Sequence, residues 1–398
     1  MPGSGAHHNQ QLRRKTQDER SGSEMDGGDS GCCNVVHRPQ QEDVHGERTS
    51  HLRSSEMSVY TSHDKRAESP MSPCCSYLVT GGSGFIGGHL IADLLRDPGT
   101  ARVVNLDLRP FPGAPDPRLK TVIADIRRPL AVDLPAGTGT CYHLAAVCRE
   151  PGHRREEYFE TNHQGTANVI DLCRRQGIGS IVFTSTIMVY AAGDRPCDES
   201  AEPQPDTAYG ESKLLAEGEL ARWAAGGNRL RIVRPGVVFG PGDYGNFVRL
   251  HRALRRNLFC YVGRRTTVKG SVYVRDVVSC LRFMETAAAR DTVYNCVFPG
   301  RYDIGQIVDA ICAAEGWRRW VPVLPYRPMR WLAGVGPLLE KVQLRNGLHP
   351  RRIDKLYRST DAVPQALARD GFAFRYDLRA AVAEWLAGGS PDRVHGEG

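Results

Sequence analysis

Hydrophobic and polar positions divide the chain into two unlike stretches. Residues 1–73 are rich in Ser, Gly, Gln, His, Arg and Asp, with scattered apolar residues and no period. Such a segment cannot bury enough surface to offset its ordering entropy, so a disordered tail is predicted there, with Met57 and Met71 as alternative starts. From Ser76 the pattern becomes regular. SYLVTG is a short apolar run, and GSGFIGGHLIADLLRD after it repeats its apolar residues at helical spacing. ARVVNLD, KTVIAD, TCYHLAA, GSIVFTST and NRLRIVRP continue the runs, with helix-like YFETNHQGTANVIDLCRRQ and AYGESKLLAEGELARWA between them. Alternating strands and helices imply a parallel sheet covered on both faces. Beyond residue 245 the rhythm loosens. GSVYV and TVYNCV still read as strands, while 317–358 is rich in Pro, Trp and Arg. The prediction is an α/β fold: a doubly wound sheet over 74–245 with returning segments at about 271–298, and a smaller, interleaved C-terminal substrate-binding region of 246–270 and 299–390.

Composition narrows the class without naming a chemistry. Of 398 residues, 40% are hydrophobic and 24% charged, the profile of a soluble globular protein. No apolar run approaches the roughly 18 residues that a membrane span needs. The N-terminus lacks the apolar segment of a signal peptide, so a cytoplasmic location is expected. Twelve cysteines, among them Cys141, Cys173, Cys296 and Cys312 inside apparent core elements, read as reduced thiols. There is no Cys-x-x-Cys, and the adjacent pairs Cys32/Cys33 and Cys74/Cys75 are poor ligands, so no metal site is expected. The net charge of +7 is mild and suits anionic substrates or an acidic surface as well as nucleic acid. The motifs below point to a small molecule and away from nucleic acid.

VTGGSGFIGGHL places Gly81, Gly84 and Gly87 between the first strand and the first helix, and residues 82–87 satisfy G-x-G-x-x-G. Glycines there allow a tight turn and let backbone N–H groups, those of Phe85 and Ile86 among them, approach a pyrophosphate at the helix N-terminus. A flexible glycine turn is the plain alternative. Context favours the dinucleotide: a strand precedes, a helix follows, and Asp107 lies 20 residues beyond Gly87 at a strand end, where a carboxylate accepts from a ribose 2′-hydroxyl. The fold expected is thus Rossmann-type. A carboxylate at that point repels the 2′-phosphate of NADP, so NAD is favoured over NADP. Arg109 can attract that phosphate or be a solvated loop charge. Asp125, at the end of the third strand, has two readings of equal weight: contact with the adenine amino group, or a helix cap.

AYGESKLLAE sets Tyr209 and Lys213 four residues apart, neighbours on one helix face. In order along the chain stand the spaced glycines, the acidic strand end, HLAA (143–146), TNHQGTANVID (161–171), FTST (183–186), YGESK (209–213) and RPGVVFGPGD (234–243). This succession resembles the extended short-chain dehydrogenase/reductases, in their epimerase/dehydratase branch. The likeness covers about residues 76–300 well and the remainder loosely. It implies a catalytic set of Thr186, Tyr209 and Lys213. It also implies a cofactor set of Gly81, Gly84, Phe85, Ile86, Gly87, Asp107, Asp125, Ile126 and Ala145, joined by Tyr209 and Lys213, and a homodimer. Tyr209 is then the acid/base. A free phenol has a pKa near 10 and is a poor base at neutral pH. An ammonium one turn away, together with the positive nicotinamide ring, favours the phenolate. Lys213 supplies that charge while holding the nicotinamide ribose, and Thr186 donates to the reacting oxygen. The plain alternatives are a helix-surface aromatic for Tyr209 and a backbone-bonded hydroxyl for Thr186.

Dehydratases of this family carry Asp-Glu after the catalytic Ser/Thr, because elimination needs a further acid and base, and the related decarboxylases carry a Glu. Ile187 and Met188 transfer no proton. Epimerisation through a transient ketone remains, as does net oxidation or reduction. RPGVVFGPGDYGNFVRLHRALRRNLFCYVG followed by KGSVYVRDVV looks most like sugar 4-epimerases of polysaccharide assembly, some of which act on polyprenyl-diphosphate sugars. The function expected is an NAD-dependent epimerase acting on a nucleotide- or polyprenyl-diphosphate-linked hexose. The alternatives are an NAD(P)-dependent dehydrogenase or reductase of a lipid or sterol-like alcohol, and a dinucleotide-binding regulator without chemistry. Val237 stands where UDP-galactose 4-epimerases have a substrate-contacting Asn, which argues against a free nucleotide sugar. Arg249, Arg252, Arg255 and Arg256 can bind a diphosphate or form a solvated basic face. The segment 326–358 mixes Trp331, leucines and arginines, and such a basic helix can rest on an anionic membrane. Gly334, Gly336 and Pro337 interrupt its pattern, which favours a lid or dimer surface over membrane contact.

Overall fold

A computed structural model describes residues 75–149, 152–290, 292–340 and 350–388. The tail expected at 1–73 lies outside the described residues. Seven strands share one sheet: β1 (Cys75–Thr80), β2 (Thr100–Asp107), β3 (Leu119–Ile123), β4 (Thr138–His143), β5 (Ser180–Thr184), β6 (Arg229–Pro235) and β7 (Val293–Cys296). Their spatial order is β7-β6-β5-β4-β1-β2-β3, and every adjacent pair is parallel. This is the doubly wound α/β architecture that the alternating runs predict.

Parallel neighbours cannot be joined by a tight turn, so helices fill the crossovers and cover both faces. The principal helices are α1 (Phe85–Arg96), α2 (Gly165–Arg175), α3 (Ala208–Ala224), α4 (Asn246–Arg255), α5 (Val274–Phe283), α6 (Ile304–Glu315), α7 (Tyr326–Glu340), α8 (Pro350–Tyr357) and α9 (Leu378–Ala387). Successive strand residues face opposite ways. Val79 therefore packs with Leu90, Ile91 and Leu94 of α1 and Leu281 of α5, while Leu78 joins Val169 and Leu172 of α2 and Leu220 and Trp223 of α3. A third cluster holds α4, α6 and α9 together around Phe239, whose ring stacks on Phe247 at 4.0 Å.

The strand order reverses between β1 and β4. Ligands of such sheets bind outside the strand ends at this switch point. Thr80 sits there between Leu106 and His143, and Leu144 N–H donates to its carbonyl at 3.0 Å.

Two regions differ from the sequence reading. The expected single helix over YFETNHQGTANVIDLCRRQ contains a π-helical segment, Phe159–Gln164, before α2 begins. The irregular 317–358 segment contains two helices, and α7 includes Gly334, Gly336 and Pro337. Its inner residues Tyr326, Met329 and Ala333 pack on Val262, Ile353 and Tyr357. Tertiary packing of one face offsets a propensity penalty of about 1 kcal/mol per glycine. Among the described residues no helix is long and apolar enough to cross a membrane.

Candidate active site

The glycine loop lies against the end of β4. Gly81 has φ 73°, and a Cβ there would stand 2.6 Å from the Ala145 nitrogen. A Cβ on Gly87 would fall on the Gly81 carbonyl, and one on Gly84 would stand 3.1 Å from that oxygen. Side chains at these positions would push α1 away from the loop. Gly84 is the N-cap of α1 and brings no capping side chain, and the opening turn has no intrahelical acceptors for the N–H groups of Phe85 and Ile86. Asp107 accepts from Ser83 N–H at 3.0 Å and from Arg109 N–H at 3.1 Å, while Ser83 Oγ donates to the Arg109 carbonyl at 2.9 Å. An ionised carboxylate offers about four acceptor positions, so capacity remains for a ribose hydroxyl. A cradle free of Cβ atoms, with a carboxylate at its edge, fits a dinucleotide.

The neighbouring positions are more occupied. Ala124 N–H donates to the Asp107 carbonyl at 3.0 Å, which brings the two strand ends together. The Asp125 carboxylate forks onto the Arg127 guanidinium, with its shortest contact 2.6 Å, and accepts Arg127 N–H at 3.0 Å. Those bonds hold its carboxyl below the usual range. The carboxylate thus caps a turn. Ile126 is buried beside Gly165, and its carbonyl accepts from Asn168 at 2.7 Å. Ala145 N–H donates to Thr80 Oγ1 at 3.3 Å.

At the other end, Thr186 caps the 3-10 turn Ile187–Val189, its Oγ1 accepting Met188 N–H at 3.1 Å. Thr207 caps α3 and accepts Gly210 N–H at 3.0 Å. A Cβ on Gly210 would fall on the Met188 carbonyl. Glycine after the tyrosine therefore lets α3 close against the Thr186 turn. Thr186 and Tyr209 are brought close enough for the threonine hydroxyl to act on the phenol. Lys213, buried one turn further on, holds its ammonium 4.1 Å above the centre of the Phe183 ring.

Burial governs both groups in the chain without NAD. Burial raises the Tyr209 phenol, the nearby Cys148 adds to that, and the bond with Thr186 opposes it. Burial also pulls Lys213 down to about 7, against the influence of Cys148 and Glu217. Desolvation penalises both charged forms in the chain without NAD.

Several residues at the site carry no assignment from the motifs. Ser185 Oγ donates to Glu217 at 2.5 Å, and Glu217 lies one turn beyond Lys213 on α3. Arg234, at the end of β6, clasps the same carboxylate and donates to the Tyr190 hydroxyl at 2.7 Å. An arginine inside an apolar strand, and an acid four residues after the lysine, were the available signals. Asn162, turned inward by the π-helical segment, bonds Val147 N–H at 2.8 Å and Ser212 Oγ at 3.0 Å, tying the loop after β4 to α3. His143 bridges the hydroxyls of Thr80 and Thr166, and burial lowers it to about 3, so it stays neutral. Val237 lies in the short strand Val237–Phe239 and offers no polar group; Arg249, Arg255 and Arg256 are exposed at α4.

The sequence profile of the NAD dependent epimerase/dehydratase family matches residues 77–297. An N-acetyl-alpha-D-glucosaminyl-diphospho-ditrans,octacis-undecaprenol 4-epimerase of Escherichia coli O157:H7 is 30% identical over 318 residues, 78% of this chain and 93% of that protein. A 3-beta-hydroxysteroid dehydrogenase of Mycolicibacterium neoaurum is 29% identical over 50% of this chain and 58% of its own length. Among solved structures, MoeE5 in complex with UDP-glucuronic acid and NAD superposes with TM-score 0.60 at 28% identity, covering 78% of this chain and 98% of that one.

Proposed function

The chain belongs to the NAD dependent epimerase/dehydratase family and is an NAD-dependent enzyme of the extended short-chain dehydrogenase/reductase type; within it, we propose a sugar 4-epimerase acting on a diphosphate-linked hexose. One observation carries this reading. The turn after Thr186 presents Ile187 and Met188, so Tyr209 is the proton-exchanging group beside Thr186. Elimination needs a further acid and base at this point. Epimerisation needs one proton carrier and a hydride returned to the opposite face of the same carbon.

The glycine cradle and Asp107 would hold the dinucleotide, and Lys213 its nicotinamide ribose. NAD supplies a hydride acceptor and donor and, with its ring positively charged, favours the phenolate that burial alone disfavours. Tyr209 takes the C4 hydroxyl proton and later returns it to the ketone oxygen. Thr186, beside Tyr209, donates to the same oxygen and stabilises its developing charge. Between the two transfers the keto-sugar turns over in the site.

The relative of known substrate and the apolar Val237 favour a polyprenyl-diphosphate carrier over a free nucleotide. A panel of polyprenyl-diphosphate and UDP hexoses tests this, with deuterium at C4. We expect the C4 epimer of a lipid-linked hexose, deuterium retained, without NADH accumulating. NADH rising in step with a keto product would establish a dehydrogenase instead, the reading favoured by the likeness to the hydroxysteroid enzyme.

A further inference from the structure

Helix α7 turns its apolar residues the wrong way for a solvated helix. Tyr326, Met329 and Ala333 fill its contact with the rest of the fold. At about 100° per residue, Arg327 and Trp331 fall on the opposite side, with Leu332 at its flank. Trp331 is 70% exposed and Leu332 56%, and the approach to the helix adds Trp320 at 87%. Val323 and Leu324, in the short strand between, are exposed as well.

Charge is mostly positive in this region, with Glu340 at the far end of α7. From Trp317 to Leu339 the chain carries Arg318, Arg319, Arg327 and Arg330 and no Asp or Glu. Arg330 pairs with Asp354 at 2.7 Å, and Arg319 bonds Asn257. Among the described residues neither Arg318 nor Arg327 has an acidic partner. Exposed tryptophans rimmed by unneutralised arginines match a bilayer interface, where indole rings sit at headgroup depth and guanidinium groups meet lipid phosphates. A second copy of this chain is a poorer match. In a two-fold contact the patch would face itself, and the unpaired Arg318 and Arg327 would meet their own copies, since the nearby Asp309 is already paired with Arg265.

We propose that the outer face of α7, with residues 317–324 leading into it, docks the enzyme on an anionic lipid bilayer. The proposal deepens the lipid-carrier reading and rests on it for its purpose: a sugar whose carrier lies in a membrane is reached from the membrane surface.

The test uses the full chain and vesicles without substrate, so it is independent of turnover. The protein should sediment with phosphatidylcholine–phosphatidylglycerol vesicles at low salt and not with phosphatidylcholine alone, and brominated lipid should quench its tryptophan fluorescence. The double substitution Trp331→Ala, Leu332→Ser should weaken binding by at least roughly tenfold, and Arg318→Gln with Arg327→Gln should remove the preference for anionic lipid. Protein left in the supernatant without quenching, binding unchanged by both pairs of substitutions, or a dimer that the first pair splits in the absence of lipid would each overturn the proposal. Vesicle binding without turnover of any lipid-linked sugar would uphold docking and sink the substrate reading alone.

Discussion

Glu217 and Arg234 form a buried ion pair, 7% and 5% exposed, closed by two side-by-side hydrogen bonds of 2.9 and 2.5 Å. The pair joins three elements at one point: α3, which carries Tyr209 and Lys213; β6; and, through Ser185, the strand end that presents Thr186. Removing one member of such a pair leaves the other charge buried alone, at a cost of about 3–5 kcal/mol, whereas replacing both with apolar groups of similar volume is often nearly neutral. Glu217→Gln should therefore lower the melting temperature sharply. Glu217→Leu with Arg234→Met should recover most of it while turnover stays low, because Ser185 has lost its anchor. Full activity in the double variant would show that the pair is merely structural.

Tyr209→Phe removes the exchangeable proton and keeps the ring that packs against Tyr158. Turnover should fall by roughly 10²–10⁴-fold, with NAD affinity nearly unchanged. Near-normal turnover by this variant would remove Tyr209 from the mechanism.

Lys213 carries a pH signature in the NAD-free protein. Its folded pKa is depressed to about 7 by burial, from an ordinary 10.5. Between those values the unfolded chain binds more protons than the folded one, so stability rises with pH across the window. Burying the charged lysine is fully destabilising below pH 7, and the penalty fades towards pH 10.5. Lys213→Met should thus melt above the unaltered protein at pH 6.5, by a margin that shrinks as pH rises to 10. Melting curves across this range, without NAD, check it; a constant margin would mean that packing and not charge separates the two.

Asp107→Ala removes the acceptor shared by Ser83 and Arg109 and the repulsion of a 2′-phosphate. A hydrogen bond to a charged group contributes about 1.5–3 kcal/mol, so NAD should bind at least roughly tenfold more weakly. The preference over NADP should narrow as well. Titration of both nucleotides decides; equal affinities in the unaltered protein would contradict the role given to Asp107.

The alternation of strands and helices, the glycine turn, and the positions of Asp107 at a strand end and of Tyr209 and Lys213 on one helix were legible because each depends on local pattern. Alternation sets the sheet, spacing sets the helix face, and a strand end followed by a helix needs glycine where backbones touch. Other features depended on distant residues. That the irregular 326–333 stretch forms the start of a helix depends on the packing of Tyr326 and Met329 on Val262 and Tyr357, contacts that local propensity does not contain. The carboxylate of Asp125 had two partners open to it in sequence, and the fold placed it on Arg127. The burial of Tyr209 was hidden for the same reason. A charge four residues away is visible in the sequence, but the depth of burial exists only once α3 has closed on the Thr186 turn.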